Sequence, residues 1–487
     1  MSPPLTHAEI VAQLTSRWPE HRVAPSLGRI RALTEMLGDP QRAYPVIQVT
    51  GTNGKGSTGV MIESLLRALG LRTGRFSSPH LTSVNERIAI DGEPISDERF
   101  DEVWREIEPY VALVDAQGID EVPMTFFEIV TAMAYASFAD APVDVAVIEV
   151  GLGGTWDATN VADAGVAVVT PIDLDHTQLL GGTIREIATE KAGIIKPGAH
   201  AILAGQGLEA AQVLLERCAE VGALAHREGV DFGLIDRSVA VGGQLIRVNG
   251  AGGPVEDIFL PLHGAHQAAN AAQALAAVEA FLGLKAVNPD VARAGFADVR
   301  VPGRLEVVRR SPTVVLDAAH NPHGARAAAA GMTEAFALSP LIGVVAVMRD
   351  KDAEGLLREL EQLMNSVVVT EMASSTRGLP ASELGELASE VFGAERVRVV
   401  RRLDDALETA MAMAEGDGVG APGVLVTGSV VAVGEARTLL VKPEQPVASD
   451  RRSAADADDG WDSDQAWDTG HNGNTGHDDP FAEEELR

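Results

Sequence analysis

One stretch constrains this chain more than any other: Val46 to Ser57, reading VIQVTGTNGKGS. The run Val46 to Val49 has the length and β-branching of a buried parallel strand. It enters Gly51-Thr52-Asn53-Gly54-Lys55-Gly56-Ser57, after which Val60, Met61, Ser64, Leu65, Ala68 and Leu69 recur at helical spacing. Strand, glycine loop and helix, in that order, form the context of a phosphate-binding loop. The glycines let backbone N–H groups approach phosphate oxygens, and the helix N-terminus adds its dipole. Lys55 would reach the terminal phosphates, and Ser57 would hold Mg²⁺. The spacing departs from G-x-x-x-x-G-K-[ST], because Val49 stands at the first glycine position and Gly56 separates Lys55 from Ser57. An ordinary turn needs neither a lysine nor three glycines, so the context carries the reading.

The length, 487 residues, predicts two or three domains. No apolar run is long enough to span a bilayer, and the N-terminus MSPPLTHAEIVAQL lacks a basic n-region. A soluble, cytoplasmic protein is therefore expected. The single cysteine, Cys218, excludes an internal disulfide and a cysteine metal cluster, and its helical-looking surroundings predict an inert core position. A net charge of −31 argues against a general nucleic-acid binder. Part of that charge is local: Ser449 to Arg487 holds 12 acidic and 3 basic residues, and its lack of periodicity predicts disorder. His471 and His477 beside Asp478 and Asp479 read as members of a solvated acidic tail.

Residues 5–37 read as helix, turn and helix, with the turn at Arg22 to Gly28 and an apolar stripe of Leu27, Ile30, Leu33 and Leu37. A short strand, Leu71 to Phe76, leads to Ser77-Ser78-Pro79-His80-Leu81 and then Val84-Asn85-Glu86-Arg87-Ile88, a polar loop of the kind that carries binding residues. Ser96 to Tyr110 is helical. Thr125 and Glu128 make a capping box that opens an apolar helix to Phe138. This gives both residues a structural purpose and leaves Phe126 and Phe127 open between core and a planar ligand. Asp144 to Val150 reads as a buried strand bearing Glu149 near its end, where such folds place a Mg²⁺ ligand. Gly165 to Thr170 is a further strand, and Asp173-Leu174-Asp175-His176 follows it; His176 reads equally as a hydrogen-bonded structural histidine or a ligand.

Thr183 and Glu186 cap a helix to Gly193, near whose end Lys191 is locally unremarkable. A strand at Ala199 to Ala204 and short β segments with Gly-Gly turns over 222–260 precede an alanine-rich helix led by His266 to Asn270. Val301-Pro302-Gly303-Arg304 reads as a hinge. Beyond it, strands at 313–316, 342–347, 367–370, 397–400 and 424–427 alternate with helices, predicting a second α/β domain with a parallel or mostly parallel sheet. There is no GxGxxG after its first strand. The expected domains are 1–301, 302–442 and an acidic tail, 443–487.

An ordered set of motifs now gathers: GTNGKGS (51–57), SSPHL (77–81), VNERI (84–88), TFFE (125–128), EVGLGG (149–154), DATN (157–160), LDH (174–176), EKAGI (190–194), HQAAN (266–270), PGR (302–304), DAAHNP (317–322) and TGS (427–429). With it the chain resembles folylpolyglutamate synthases, including bifunctional members that also act as dihydrofolate synthases, within the wider Mur-ligase-like group. The resemblance spans about residues 9 to 440. It implies an N-terminal P-loop-type ATPase domain, a smaller C-terminal Rossmann-like domain and an active site in the cleft. It also implies ATP, Mg²⁺, L-glutamate, reduced folates and dihydropteroate as ligands, in a monomer.

Residue by residue, the resemblance puts Thr52, Asn53, Gly54, Lys55, Gly56 and Ser57 on the ATP phosphates. Ser57, Ser78, Glu149 and His176 become metal ligands, and Lys191 the lysine that carries a CO₂-derived carbamate at a second metal. Asn270, Arg304 and Asp317 would hold ATP from beyond the hinge, with His320 near the γ-phosphate and the incoming glutamate. Thr125, Phe126, Phe127, Glu128 and Trp156 match the pterin side, and Ser429 would touch glutamate. Lys55-Gly56-Ser57 and EKAGIIK favour the folate branch over a peptidoglycan-precursor ligase. The retained metal ligands argue against a non-catalytic nucleotide-binding module.

Overall fold

Apolar runs bounded by glycine and proline become strands wherever both of their faces can be covered. In the computed structural model, which describes residues 5–18, 24–416 and 420–441, the first such run is β1 (Val46–Thr50), buried at every residue. It is followed by β2 (Thr73–Phe76), β3 (Ile88–Ile90), β4 (Glu93–Pro94), β5 (Val145–Glu149), β6 (Val166–Val169), β7 (His200–Leu203) and β8 (Leu224–Arg227). These form one sheet in the order β4-β3-β2-β5-β1-β6-β7-β8. From β2 to β8 the pairing is parallel, while β3 and β4 add an antiparallel edge that sequence reading did not anticipate. Register sets Val49 beside Glu149, so the phosphate loop and the strand-end carboxylate leave the sheet at the same edge.

Helices Gly28–Met36, Asp97–Gln117 and Phe126–Asp140 cover one face of this sheet. The second of these continues past Pro109 because Val111 and Val114 extend its buried stripe, so it outruns the predicted end at Tyr110. Helices Lys55–Ala68, Ala265–Phe281 and Pro289–Ala297 cover the other face with the help of a three-stranded antiparallel sheet. That sheet comprises β9 (Gly233–Ala240), β10 (Gly243–Gly250) and β11 (Gly253–Leu260). The capping boxes of Thr125 with Glu128 and Thr183 with Glu186 both form.

A third sheet begins after Gly303. It contains β12 (Glu306–Arg310), β13 (Thr313–Leu316), β14 (Leu341–Val345), β15 (Ser366–Val369), β16 (Val397–Val399) and β17 (Gly423–Thr427), in the order β12-β13-β17-β14-β15-β16. The five expected strands are parallel, and β12, not anticipated, is an antiparallel edge. Apolar clusters fill both of its faces. Cys218 is buried, as expected. The acidic tail with its histidines, and Arg22 and Val23 of the predicted turn at Arg22 to Gly28, lie outside the described residues. Among the described residues no helix is long and apolar enough to cross a membrane.

Candidate active site

The cleft is built around the exit of β1. Gly51 leaves the strand at φ +142°, and a Cβ there would lie 1.8 Å from the Thr170 hydroxyl, so a side chain has no room. Gly54 caps the following helix at φ +94°, with the Asn270 amide 2.8 Å from where its Cβ would be. Lys55 opens that helix and turns its ammonium back onto the carbonyls of Gly51 (3.2 Å) and Thr52 (3.3 Å). Lys191 arrives from helix Ile184–Ala192, buried, and donates to the same Gly51 carbonyl at 2.7 Å. Two amines therefore share one loop carbonyl. Burial, then the positive charge of Lys55, brings Lys191 down to about 7. That is a property its local sequence did not announce.

Glu149 closes β5 beneath the loop. Among the described residues its carboxylate accepts one hydrogen bond, a long one of 3.4 Å from the Ser78 N–H. Burial pushes its pKa up against the pull of Lys55, and burial pushes Lys55 down. A buried carboxylate with so few donors has acceptor capacity to spare. Ser57 and Ser78 line the same cleft, whose volume is about 800 Å³ including its open mouth.

The opposite wall comes from the third sheet and meets the first at Asp175. The Asp175 carboxylate accepts Lys351 Nζ at 2.6 Å and Asn321 Nδ2 at 3.0 Å, with His320 Nε2 at 3.7 Å. Burial opposes its ionisation, but Lys351, His176 and His320 outweigh that and hold it well below the usual carboxylate range. His176, at φ +50°, sets Nε2 3.1 Å from Lys351 Nζ, and burial followed by Lys351 lowers it to about 4. His320 is tied through Nδ1 to the Ala318 carbonyl at 3.0 Å and is lowered to about 4, chiefly by burial. Asn53 and Asn321 join the walls directly through their side-chain amides, 3.2 Å apart.

Of the expected residues, Thr52, Asn53, Gly54, Lys55, Gly56, Ser57, Ser78, Glu149, His176, Lys191, Arg304 and His320 line this cleft. Asn270, Asp317, Thr125 to Glu128, Trp156 and Ser429 are not among its walls, and Asn270 stands against Gly54 on the phosphate-loop side of the hinge rather than beyond it, because its helix covers the first sheet. Asp317 accepts the backbone N–H groups of Leu305 (3.0 Å) and Ala319 (2.9 Å), which fixes the chain on either side of Arg304 and His320. Ser429 caps helix Val430–Leu440, leaving Val430 to face the cleft. Glu128, besides its cap, accepts Arg29 Nε at 3.1 Å in a buried ion pair. Phe126 lies under the Arg87 guanidinium, 5.0 Å from its ring centre. Phe127 is nearer the cleft: its ring would clash with any side chain at Gly151, which lines the wall. Trp156 donates its backbone N–H to Glu190 at 3.3 Å.

Sequence reading gave no role to Asp175 or Lys351. Both follow strand ends, as Asp173-Leu174-Asp175-His176 after β6 and Arg349-Asp350-Lys351-Asp352 after β14, and that position was the available signal. Among the described residues no three His, Cys, Asp or Glu side chains converge as a ready-made metal cage. Mg²⁺ suits what is there instead, since it binds through one or two carboxylates plus phosphate oxygens and water, and Glu149 with Ser57 and Ser78 offers such a partial set. His176 and Lys191 are engaged with Lys351 and Gly51.

Residues 49–278 match the Mur ligase middle domain, and residues 303–430 the Mur ligase glutamate ligase domain. Among curated proteins, the chain is 49% identical over 455 residues to a dihydrofolate synthase/folylpolyglutamate synthase of Mycobacterium tuberculosis, covering 89% of this chain and 93% of that one. Among solved structures it is similar to M. tuberculosis folylpolyglutamate synthase complexed with ADP, with 48% identity, TM-score 0.86, and coverage of 90% and 99%. A folylpolyglutamate synthase–AMPPCP–folate complex matches at 31% identity and TM-score 0.79, covering 90% and 100%.

Proposed function

This chain belongs to the dihydrofolate synthase/folylpolyglutamate synthase family of Mur ligases, and from that premise we propose that it joins L-glutamate to reduced folates and to dihydropteroate at the expense of ATP. One observation carries the reading. A glycine loop with two amines, Lys55 half-buried and Lys191 buried, and an under-coordinated carboxylate faces a second wall bearing His320, Arg304 and Lys351. Such a cleft suits transfer of a phosphoryl group at one wall and capture of the activated acid at the other.

In this reading the N–H groups of Thr52 to Ser57 and the Lys55 ammonium bind the ATP phosphates, with Arg304 reaching them from the other wall and Asn270 and Asp317 supporting the nucleotide. A folate carboxylate attacks the γ-phosphorus, giving an acyl phosphate and ADP. The neutral amine of glutamate then displaces phosphate to form the amide. Ser57, Ser78 and Glu149 would hold Mg²⁺, which supplies charge neutralisation at the transferring group. Lys191, with its pKa brought to about 7, keeps a neutral fraction able to add CO₂ as a carbamate and release a proton. That would give His176 an oxygen-donor neighbour for a second ion. His320, held through Nδ1, presents Nε2 to the cleft beside Asp175 at 3.7 Å, where it would face the reacting groups. The pterin would lie toward Phe127 and Trp156, with Thr125, Phe126 and Glu128 shaping that side and Ser429 supporting glutamate. The domains are taken as 1–301 and 302–442, in a cytoplasmic monomer, a division that agrees with where the third sheet begins.

The test is ADP release with product mass, using Mg-ATP, L-glutamate and either dihydropteroate or a reduced folate monoglutamate. A glutamate-sized gain in both reactions is expected. A gain with the folate alone would narrow the enzyme to a polyglutamate synthase. Nucleotide binding without a gain in either would overturn the ligase reading.

A further inference from the structure

One contact between the two walls is a glycine on a carbonyl. Gly434 lies in helix Val430–Leu440, and a Cβ built there would stand 1.9 Å from the Leu81 carbonyl oxygen. No side chain fits at that distance, so the contact exists only because residue 434 has none. The same Leu81 sends its side chain into the apolar cluster on one face of the third sheet, beside Leu316, Val426, Val433 and Ala436. Gly303, at φ +70°, completes the seat: its Cβ position is 3.4 Å from Leu81 Cδ2 and 3.2 Å from Val433 Cγ1. One residue of the first wall is thus plugged into the second, against the segment that joins them.

The loop that carries Leu81 is stiff. The Glu86 carboxylate accepts the N–H groups of Leu81 (2.7 Å), Thr82 (3.0 Å) and Ser83 (3.0 Å), and also the Thr82 hydroxyl. Ser77 is pinned just before β3 through its N–H to the Arg87 carbonyl at 3.0 Å. Between these ties lie Ser78, whose N–H reaches Glu149, and Pro79, both in the cleft wall. On the other side Val430, one turn before Gly434 on the same helix face, also lines the cleft. A displacement at the Leu81–Gly434 seat is therefore delivered to Ser78 on one wall and Val430 on the other.

We propose that the Leu81–Gly434 seat is the spacer that sets the separation of the two cleft walls, and that Leu81 and Gly434 are positioning residues for the second half-reaction, capture of the activated acid by glutamate. The inference rests on the ligase reading above. Activation is carried mainly by the phosphate loop and Lys55, with Arg304 reaching across to the phosphates, whereas capture depends on the far wall standing at the correct distance from the acyl phosphate, and a misplacement of about 1 Å costs on the order of 10²-fold in rate. In a cleft opened by that much, water replaces the amine. It attacks the acyl phosphate, returning the free carboxylic acid and inorganic phosphate, so ADP is released without amide formation.

The experiment is the ratio of ADP released to glutamate ligated in the full-length chain, for wild type, Gly434→Ala and Leu81→Ala, alongside ADP affinity and melting temperature. Wild type is expected near one ADP per amide. Gly434→Ala is expected to raise the ratio well above one and to lower the ligation rate at least tenfold with ADP affinity retained; Leu81→Ala should do the same more weakly, and Leu81→Met should restore coupling. If Gly434→Ala does not fold, the Leu81 pair decides the matter by the same ratio. A ratio that stays at one in the folded variants, with any lost rate matching lost folded protein, would overturn the spacer role. A wild-type chain that ligates nothing would instead overturn the ligase reading.

Discussion

The phosphate-loop wall and the Thr125–Glu128 segment both present family motifs at helix N-termini, yet their side chains are in opposite states. At the loop, buried Glu149 accepts one long hydrogen bond among the described residues, and Lys55 and Lys191 share the Gly51 carbonyl. In the other segment Thr125 and Glu128 complete a capping box, Glu128 also holds buried Arg29, and Phe126 lies under Arg87. Unspent donor and acceptor capacity marks the residues that wait for a ligand, and filled capacity marks those that hold the scaffold. The comparison also separates Phe127, which abuts Gly151 at the cleft, from its neighbour Phe126.

The contrast breaks most sharply at the loop. Lys55→Ala and Glu149→Ala are each expected to lower ligation by about 10²–10³-fold or more, as for removal of a group that stabilises transition-state charge, while the far-UV spectrum and melting curve stay near wild type. Near-normal turnover in either would remove the site assignment. On the scaffold side, Glu128→Ala removes the buried partner of Arg29 Nε, although Asp120 and the Ala24 carbonyl still hold the rest of the guanidinium, and should cost roughly 1–3 kcal/mol in urea unfolding. A variant that kept its stability but bound dihydropteroate poorly would instead move Glu128 to the ligand-binding group.

Lys191 sharpens the comparison through pH. Its ordinary value is 10.5 and the folded value about 7. Between those values the unfolded chain binds more protons than the folded one, so this residue makes stability rise with pH from about 7 towards 10.5 and contributes no slope below 7. In CO₂-depleted buffer, unfolding free energy against pH should show that rise in wild type and lose it in Lys191→Met. An unchanged profile would mean the amine is not held neutral by burial. The smallest expected effect is at the tail: truncation after Pro443 should leave the ligation rate intact, and a lost rate would give the acidic segment a function.

The local chemistry of the motifs was legible along the chain because it depends on neighbours in sequence. β1, the glycine loop, its helix and both capping boxes follow from apolar runs, positive-φ glycines and i, i+3 pairs. The helix Pro289–Ala297 carried a readable signal, Asn288 as cap and Pro289 at the first turn, but was passed over. Edge strands such as β12 and β3 are short and exist through pairing with a partner.

Tertiary structure alone decided the rest. Lys191 looks like an ordinary cation at a helix end until the fold buries it on Gly51, 140 residues away in sequence. Asp175 becomes a hub only when the third sheet brings Lys351, Asn321 and His320 to it. Gly434 gains its meaning only from the Leu81 carbonyl. Amino-acid order alone set which residues could bind phosphate, cap helices and build sheets, because those properties belong to side chains and short-range geometry. Which amine loses its charge, which carboxylate keeps it, and how far apart the walls stand were settled by burial and long-range contact, since desolvation and Coulomb interactions depend on distances that only the assembled fold defines.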